Sequence, residues 1–254
     1  MPCRVWEFSD SGLLFFLLSP VFANLYIVLM LLCLEVKMLF VKILGRSGVL
    51  WRHFLPPLVC CLFALWLLAA CEKTPRISPL DGEAVVLAFG DSLTHGTGAA
   101  SEEAYPAVLA GLLGREVVNA GVPGEVSAAG LKRLPALLAE YQPALVILCH
   151  GGNDFLRRLD RAEVIGNLRE MIALCREFGA EVLLVGVPQV GLFLSADPLY
   201  GELAEEFALP YEEKTLAKIL SERELKSDQI HPNASGYALL AEKLAALIAK
   251  AGGI

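Results

Sequence analysis

From Ala84 onward the chain alternates short apolar runs with longer stretches whose apolar residues recur at helical spacing. That alternation constrains the fold more than any other feature. Ala84–Phe89 is a short apolar run ending at Gly90-Asp91, the pattern of a strand buried on both faces. Ala104–Leu113 has helical spacing, with Pro106 near its start, where a missing N–H is tolerated. Glu116–Asn119 predicts a brief second strand. Val126–Tyr141 predicts a helix with Leu131, Leu134, Leu137 and Leu138 along one side and Pro135 as a point where it can kink. Ala144–Cys149 predicts the third strand. Arg161–Phe178 is a charged amphipathic helix stopped by Gly179. Glu181–Val187 predicts the fourth strand, Pro198–Phe207 a helix, Leu209–Tyr211 the start of a fifth strand, and Ala234–Ala251 the closing helix. Strands separated by helices imply right-handed crossovers and a parallel sheet covered on both faces. The expected class is therefore a three-layer α/β/α domain, with its site beyond the carboxyl ends of the strands.

The front of the chain has a different texture. Ser11–Leu34 runs for 24 residues without a charge, and Phe54–Ala70 for 17. Residues 1–70 carry a net charge of +2 and the remainder −9. An acidic globular part disfavours nucleic acid as a partner, because phosphate backbones are negative too. Arg52-His53 precede the second apolar run, which ends in Leu68-Ala69-Ala70-Cys71. A positive flank, an apolar core and then small residues have the layout of a secretory signal. The last four residues resemble the bacterial lipobox, which implies lipidation at Cys71, a membrane anchor and a place in the bacterial cell envelope facing the periplasm. The alternative is a plain transmembrane helix, for which 17 residues is short. Ser11–Leu34 reads either as a membrane helix or as translated upstream sequence. The expected organisation is a hydrophobic region over 1–70, a tether over 71–82 containing Pro75, Pro79 and Gly82, and a globular domain over 83–254. Past position 71 only Cys149 and Cys175 remain. Both are expected to be buried free thiols, with no metal site and no cofactor.

Four blocks fall where the site is expected: Gly90-Asp91-Ser92-Leu93 after the first strand, Asn119 to Gly124 after the second, His150-Gly-Gly-Asn153-Asp154 after the third, and Asp228-Gln-Ile-His231-Pro-Asn before the last helix. A serine hydrolase needs a nucleophile, a base, a group that orients the base, and donors for the oxyanion. Ser92 follows a strand and a glycine, so its hydroxyl can stand at a strand-to-helix turn. His231 can accept the seryl proton near neutral pH. Asp228, three residues earlier, can reach the far ring nitrogen and select the tautomer. Gly124 offers an unobstructed backbone N–H and Asn153 a side-chain N–H. With the Ser92 amide they would make three donors. Asp154 is expected to brace the Asn153 loop, and His95 to be solvated.

Together these blocks resemble the SGNH/GDSL hydrolases, whose four namesake residues would be Ser92, Gly124, Asn153 and His231. The likeness spans about residues 84–250 and is nearest to bacterial arylesterases, lysophospholipases and acyl-thioesterases. It implies a five-stranded parallel sheet of flavodoxin-like order and a serine esterase acting on ester bonds. An α/β-hydrolase is the nearest rival, but its nucleophile sits in Gly-x-Ser-x-Gly, a frame that Ser92 lacks. His150 departs from the apolar or acidic residue often found there in relatives. Phe155, Leu192 and Phe193 are candidate walls of an acyl groove. The expected substrates are short or medium acyl esters, lysophospholipids or thioesters. O-deacetylation of envelope glycan is the alternative, and a non-catalytic envelope binding module a third reading.

Overall fold

The computed structural model of the protein describes residues 75–189 and 194–254. A strand enclosed on both faces must be apolar at nearly every position, and the three inner strands of the sheet meet that condition. In β1 (Val85–Gly90) every residue after Val85 is buried, and β3 (Leu145–Cys149) is buried throughout. They lie side by side in the middle of a five-stranded sheet ordered β2-β1-β3-β4-β5. The edge strand β2 (Glu116–Gly121) mixes exposed and half-buried positions, β4 (Glu181–Val185) is buried after its first residue, and β5 (Tyr211–Glu212) has only two residues. All pairings are parallel. The order is the flavodoxin-like one, which reverses direction at β1/β3 and opens a crevice there.

Eight helices are present among the described residues: α1 (Ser92–His95), α2 (Tyr105–Leu113), α3 (Ser127–Tyr141), α4 (Gly152–Leu156), α5 (Arg161–Glu177), α6 (Pro198–Phe207), α7 (Thr215–Ser221) and α8 (Ala234–Ala251). Helices α2 and α8 pack together, as do α3 and α5, giving the two outer layers of the expected class. Their inward residues, among them Leu109, Leu134, Leu168, Met171, Leu240 and Leu244, join the sheet in one hydrophobic core. Pro135 is accommodated inside α3 without ending it. Cys149 and Cys175 are both free and buried. Burial pushes both thiols up, that of Cys175 to about 12.

Part of the segment expected to be a tether belongs to the folded unit. Ile77 and Leu80 are buried, and their N–H groups donate to the carbonyls of Ala251 (3.0 Å) and Gly253 (2.8 Å). This strap joins the start of the domain to the end of α8. The apolar runs Ser11–Leu34 and Phe54–Ala70, and Cys71, lie outside the described residues. Among the described residues, no helix is long and apolar enough to cross a membrane.

Candidate active site

Strand β1 must turn sharply against β3 to present Ser92. A Cβ at Gly90 would stand 2.1 Å from the Cys149 carbonyl oxygen and 2.3 Å from Thr94 Oγ1, so only glycine fits. Asp91 then caps α1, its Oδ1 accepting the Leu93 N–H at 3.0 Å. Ser92 is the first residue of that helix, where a backbone N–H has no intrahelical acceptor. The turn thus presents both a hydroxyl and a free amide.

His231 reaches this hydroxyl from a tight loop ahead of α8. Antiparallel bridging of Lys226 with Pro232 closes the loop, and the Ser227 N–H donates to the His231 carbonyl at 2.9 Å. Asp228 Oδ1 accepts the N–H groups of Ile230 and His231, both at 2.8 Å, while Oδ2 lies 2.7 Å from His231 Nδ1. His231 Nε2 lies 3.0 Å from Ser92 Oγ. Partial burial pushes the Asp228 carboxyl up, but the hydrogen bonds from the ring and the two amides outweigh it and hold the group below its usual range. An ionised Asp228 takes the Nδ1 proton as its hydrogen bond, which leaves the Nε2 lone pair facing Ser92.

The other two expected donors lie just after the strands that flank β1. Asn153 lies in α4, just after β3, and its Nδ2 donates to Asp91 Oδ2 (3.2 Å) and to the Glu125 carbonyl (3.0 Å). Gly124 occupies the turn after β2 with φ +76°, a left-handed conformation suited to glycine. Its carbonyl accepts from Arg157 Nη2 at 2.7 Å, and its N–H has no acceptor among the described residues. Asp91, almost fully buried, has its carboxyl raised by burial, against the opposing pull of His150, the Leu93 N–H and His231.

A shallow cleft contains Ser92, Asn153 and His231 and is walled by Leu93, Leu156, Val187, Pro188, Leu220 and Ile230. Gly124 is not among the residues that line it. Phe155, expected in the groove, does not line it. Its ring packs edge-on against the buried Tyr200 with centroids 6.3 Å apart, and its neighbour Leu156, 48% exposed, takes the place on the cleft wall. Leu192 and Phe193 lie outside the described residues. Asp154 is buried and accepts from both the N–H (2.9 Å) and the hydroxyl (2.6 Å) of Ser127, bracing the start of α3. His95 is exposed. His150 is fully buried and turns away from the cleft towards Glu125. Leu220 and Ile230 carry no local signal of a wall role, because α7 and the His231 loop meet the cleft only through the fold.

The profile of the GDSL-like Lipase/Acylhydrolase family matches residues 88–239. Esterase TesA of Pseudomonas aeruginosa is 40% identical over 126 residues, which cover 48% of this chain and 63% of that protein, a little under two thirds of its length. The Escherichia coli protein named thioesterase 1/protease 1/lysophospholipase L1 is 32% identical over 63% of this chain and 81% of its own. Among solved structures, that of TesA superposes with a TM-score of 0.58 at 30% identity, over 66% of this chain and 99% of its own. The SGNH-hydrolase esterase AlinE4 superposes with a TM-score of 0.52 at 32% identity, over 66% of this chain and 96% of its own. With the family profile matching more than half its length, the chain belongs to the GDSL-like lipase/acylhydrolase family, the SGNH ester hydrolases.

Proposed function

We propose that the protein cleaves acyl esters or thioesters through a Ser92-His231-Asp228 triad. The reading is carried by one observation: an unbroken hydrogen-bonded relay from the Asp228 carboxylate through both ring nitrogens of His231 to the Ser92 hydroxyl, at 2.7 and 3.0 Å. Ser92 Oγ adds to the substrate carbonyl carbon as its proton passes to His231 Nε2. Asp228 stabilises the imidazolium without taking the proton itself. The oxyanion is met by the Ser92 and Gly124 N–H groups and by Asn153 Nδ2, which turns to it the N–H that otherwise makes the longer, 3.2 Å bond to Asp91 Oδ2. Collapse expels the alcohol or thiol, which takes the proton from Nε2, and leaves Ser92 acylated. Water, deprotonated by His231, then adds to the acyl carbon and releases the acid.

The apolar walls of the cleft favour an acyl chain over the hydroxyl-rich face of a sugar. Short or medium acyl esters, lysophospholipids and thioesters are accordingly the substrates proposed, ahead of acetylated glycan. The intact relay argues against a purely binding module. The Leu68-Ala69-Ala70-Cys71 sequence supports a lipoprotein anchored at Cys71 and facing the periplasm. A fluorophosphonate should label the protein, and Ser92→Ala should abolish labelling and lower turnover by a factor on the order of a million. Labelling that survives in the variant removes Ser92 from the mechanism. A panel comparing chromogenic acetate, a longer-chain ester and acetylated glycan tests the substrate class.

A further inference from the structure

The Glu125 side chain touches no group that would meet substrate, yet it is gripped from two sides. Arg133 of α3 donates to it through Nε (3.0 Å) and Nη2 (2.6 Å), and His150, at the exit of β3, places Nε2 3.2 Å away. The Arg133 guanidinium lies 4.4 Å from the Phe89 ring centroid, and its Nη2 also donates to the Ala120 carbonyl at 3.1 Å. The Glu125 side chain is 8% exposed and that of His150 not at all.

The ring of His150 is oriented by its own backbone neighbour. The Gly151 N–H donates to Nδ1 at 2.9 Å, so Nδ1 acts as an acceptor and the ring proton on Nε2 points at Glu125. Helix α3 approaches so closely that a Cβ at Gly130 would stand 2.5 Å from His150 Nε2 and 3.2 Å from Glu125 Oε2. Burial pushes the Glu125 carboxyl up, but the hydrogen bonds from His150 and Arg133 prevail and bring it to about 2. The group is therefore ionised throughout the neutral range.

The backbone of the same residue sits among the oxyanion donors. The Glu125 carbonyl accepts from Asn153 Nδ2 at 3.0 Å, and Gly124 is its immediate neighbour. His150 lies three residues before Asn153, on the strand exit that carries it. The side-chain contact between Glu125 and His150 thus ties the β2 turn to the β3 exit, the two segments that supply Gly124 and Asn153. A buried hydrogen bond to a carboxylate is weak evidence for stability as such. A link between two segments that must converge on one oxygen is a reason for its placement.

We infer that Glu125 and His150 are positioning residues, a buried pair that fixes the separation of the Gly124 and Asn153 donors around the oxyanion. The inference rests on the proposed triad and oxyanion reading, and the experiment separates the two. In the full chain, kcat and KM are measured per active site, with sites counted by end-point fluorophosphonate labelling, so that a misfolded fraction does not count as slow enzyme. His150→Phe keeps a ring but loses the donor, His150→Gln keeps a donor, and Glu125→Gln loses the charge at constant volume. His150→Phe and Glu125→Gln are expected to lower kcat per labelled site by roughly 10- to 100-fold, as for a small misplacement of catalytic groups. KM should change little, because the lost interaction belongs to the transition state. His150→Gln should recover much of the loss.

Wild-type kcat per labelled site in His150→Phe and Glu125→Gln overturns the inference. So does a loss confined to KM, or a Gln variant no better than Phe. Should His150→Phe yield no labelled protein, Glu125→Gln decides on the same criteria. Ser92→Ala is run alongside: if it turns over and is still labelled, the triad reading has failed. If it is inert while the positioning variants are unaffected, only the present inference has failed.

Discussion

At the scale of single residues, Glu125 titrates in a way that can be tested apart from catalysis. Its carboxyl lies at about 2 in the folded protein against an ordinary 4.5. The folded state therefore binds fewer protons there, so the stabilisation is complete above about 4.5 and fades as pH falls towards 2. Glu125→Gln should lower the denaturation midpoint at neutral pH, and the gap to wild type should narrow as pH drops through that window. A gap that stays constant from pH 7 to 2.5 would show that the carboxylate gains nothing from Arg133 and His150. This cluster was not legible in the sequence. Arg133 and His150 lie 8 and 25 positions from Glu125, and only the sheet order brings them together. The relay was legible, because Asp228 and His231 are three residues apart and the loop between them is local. Phe155 and Leu156 show the limit from the other side. Adjacent helical residues point about 100° apart, and which of them faced the cleft depended on where α4 began, a boundary that no periodicity marks in a helix of five residues.

Elements long enough to show a period were placed closely. α6 and α8 fall on the expected residues, and β1, β3 and β4 lie within the expected runs to within a residue or two. Three helices escaped the reading, α1, α4 and α7, with four, five and seven residues. None is long enough to show a period: α1 is held by its Asp91 cap, while the N-cap residues of α4 and α7 make no side-chain capping bond, so those two depend on the packing around them. Helical glycines test how the outer layers fit the site. Gly111 in α2 and Gly166 in α5 have open space where a Cβ would go, whereas Gly130 in α3 faces His150 at 2.5 Å. Alanine is the better helix former by about 1 kcal/mol. Gly111→Ala and Gly166→Ala should each raise stability by roughly 0.5–1 kcal/mol in chemical denaturation. Gly130→Ala should lower it despite the same propensity gain, and should lower kcat as well. Equal stabilisation by all three would mean that α3 does not press on the buried pair.

For the molecule as a whole, the question that bears on its setting is whether Cys71 carries lipid. Cells fed labelled palmitate should incorporate label into the wild-type chain, and Cys71→Ser should lose it. A mature N-terminus mapped well upstream of Cys71, with no label, would favour a membrane helix instead. The two halves of the chain differ in how much of this could be foreseen. The β/α rhythm after Ala84 implies a parallel sheet with its site at one edge, because strand burial and crossover handedness leave few alternatives. The docking of Ile77 and Leu80 could not be foreseen, since two isolated apolar residues among prolines carry no period. That strap has a practical consequence. Helix α8 starts beside the His231 loop and, at 18 residues, runs about 27 Å before it meets the strap. The folded unit therefore begins and ends at the pole remote from its mouth. Grafted to a bead, a sensor chip or a carrier protein through residues at that pole, it would keep its opening turned towards the solution.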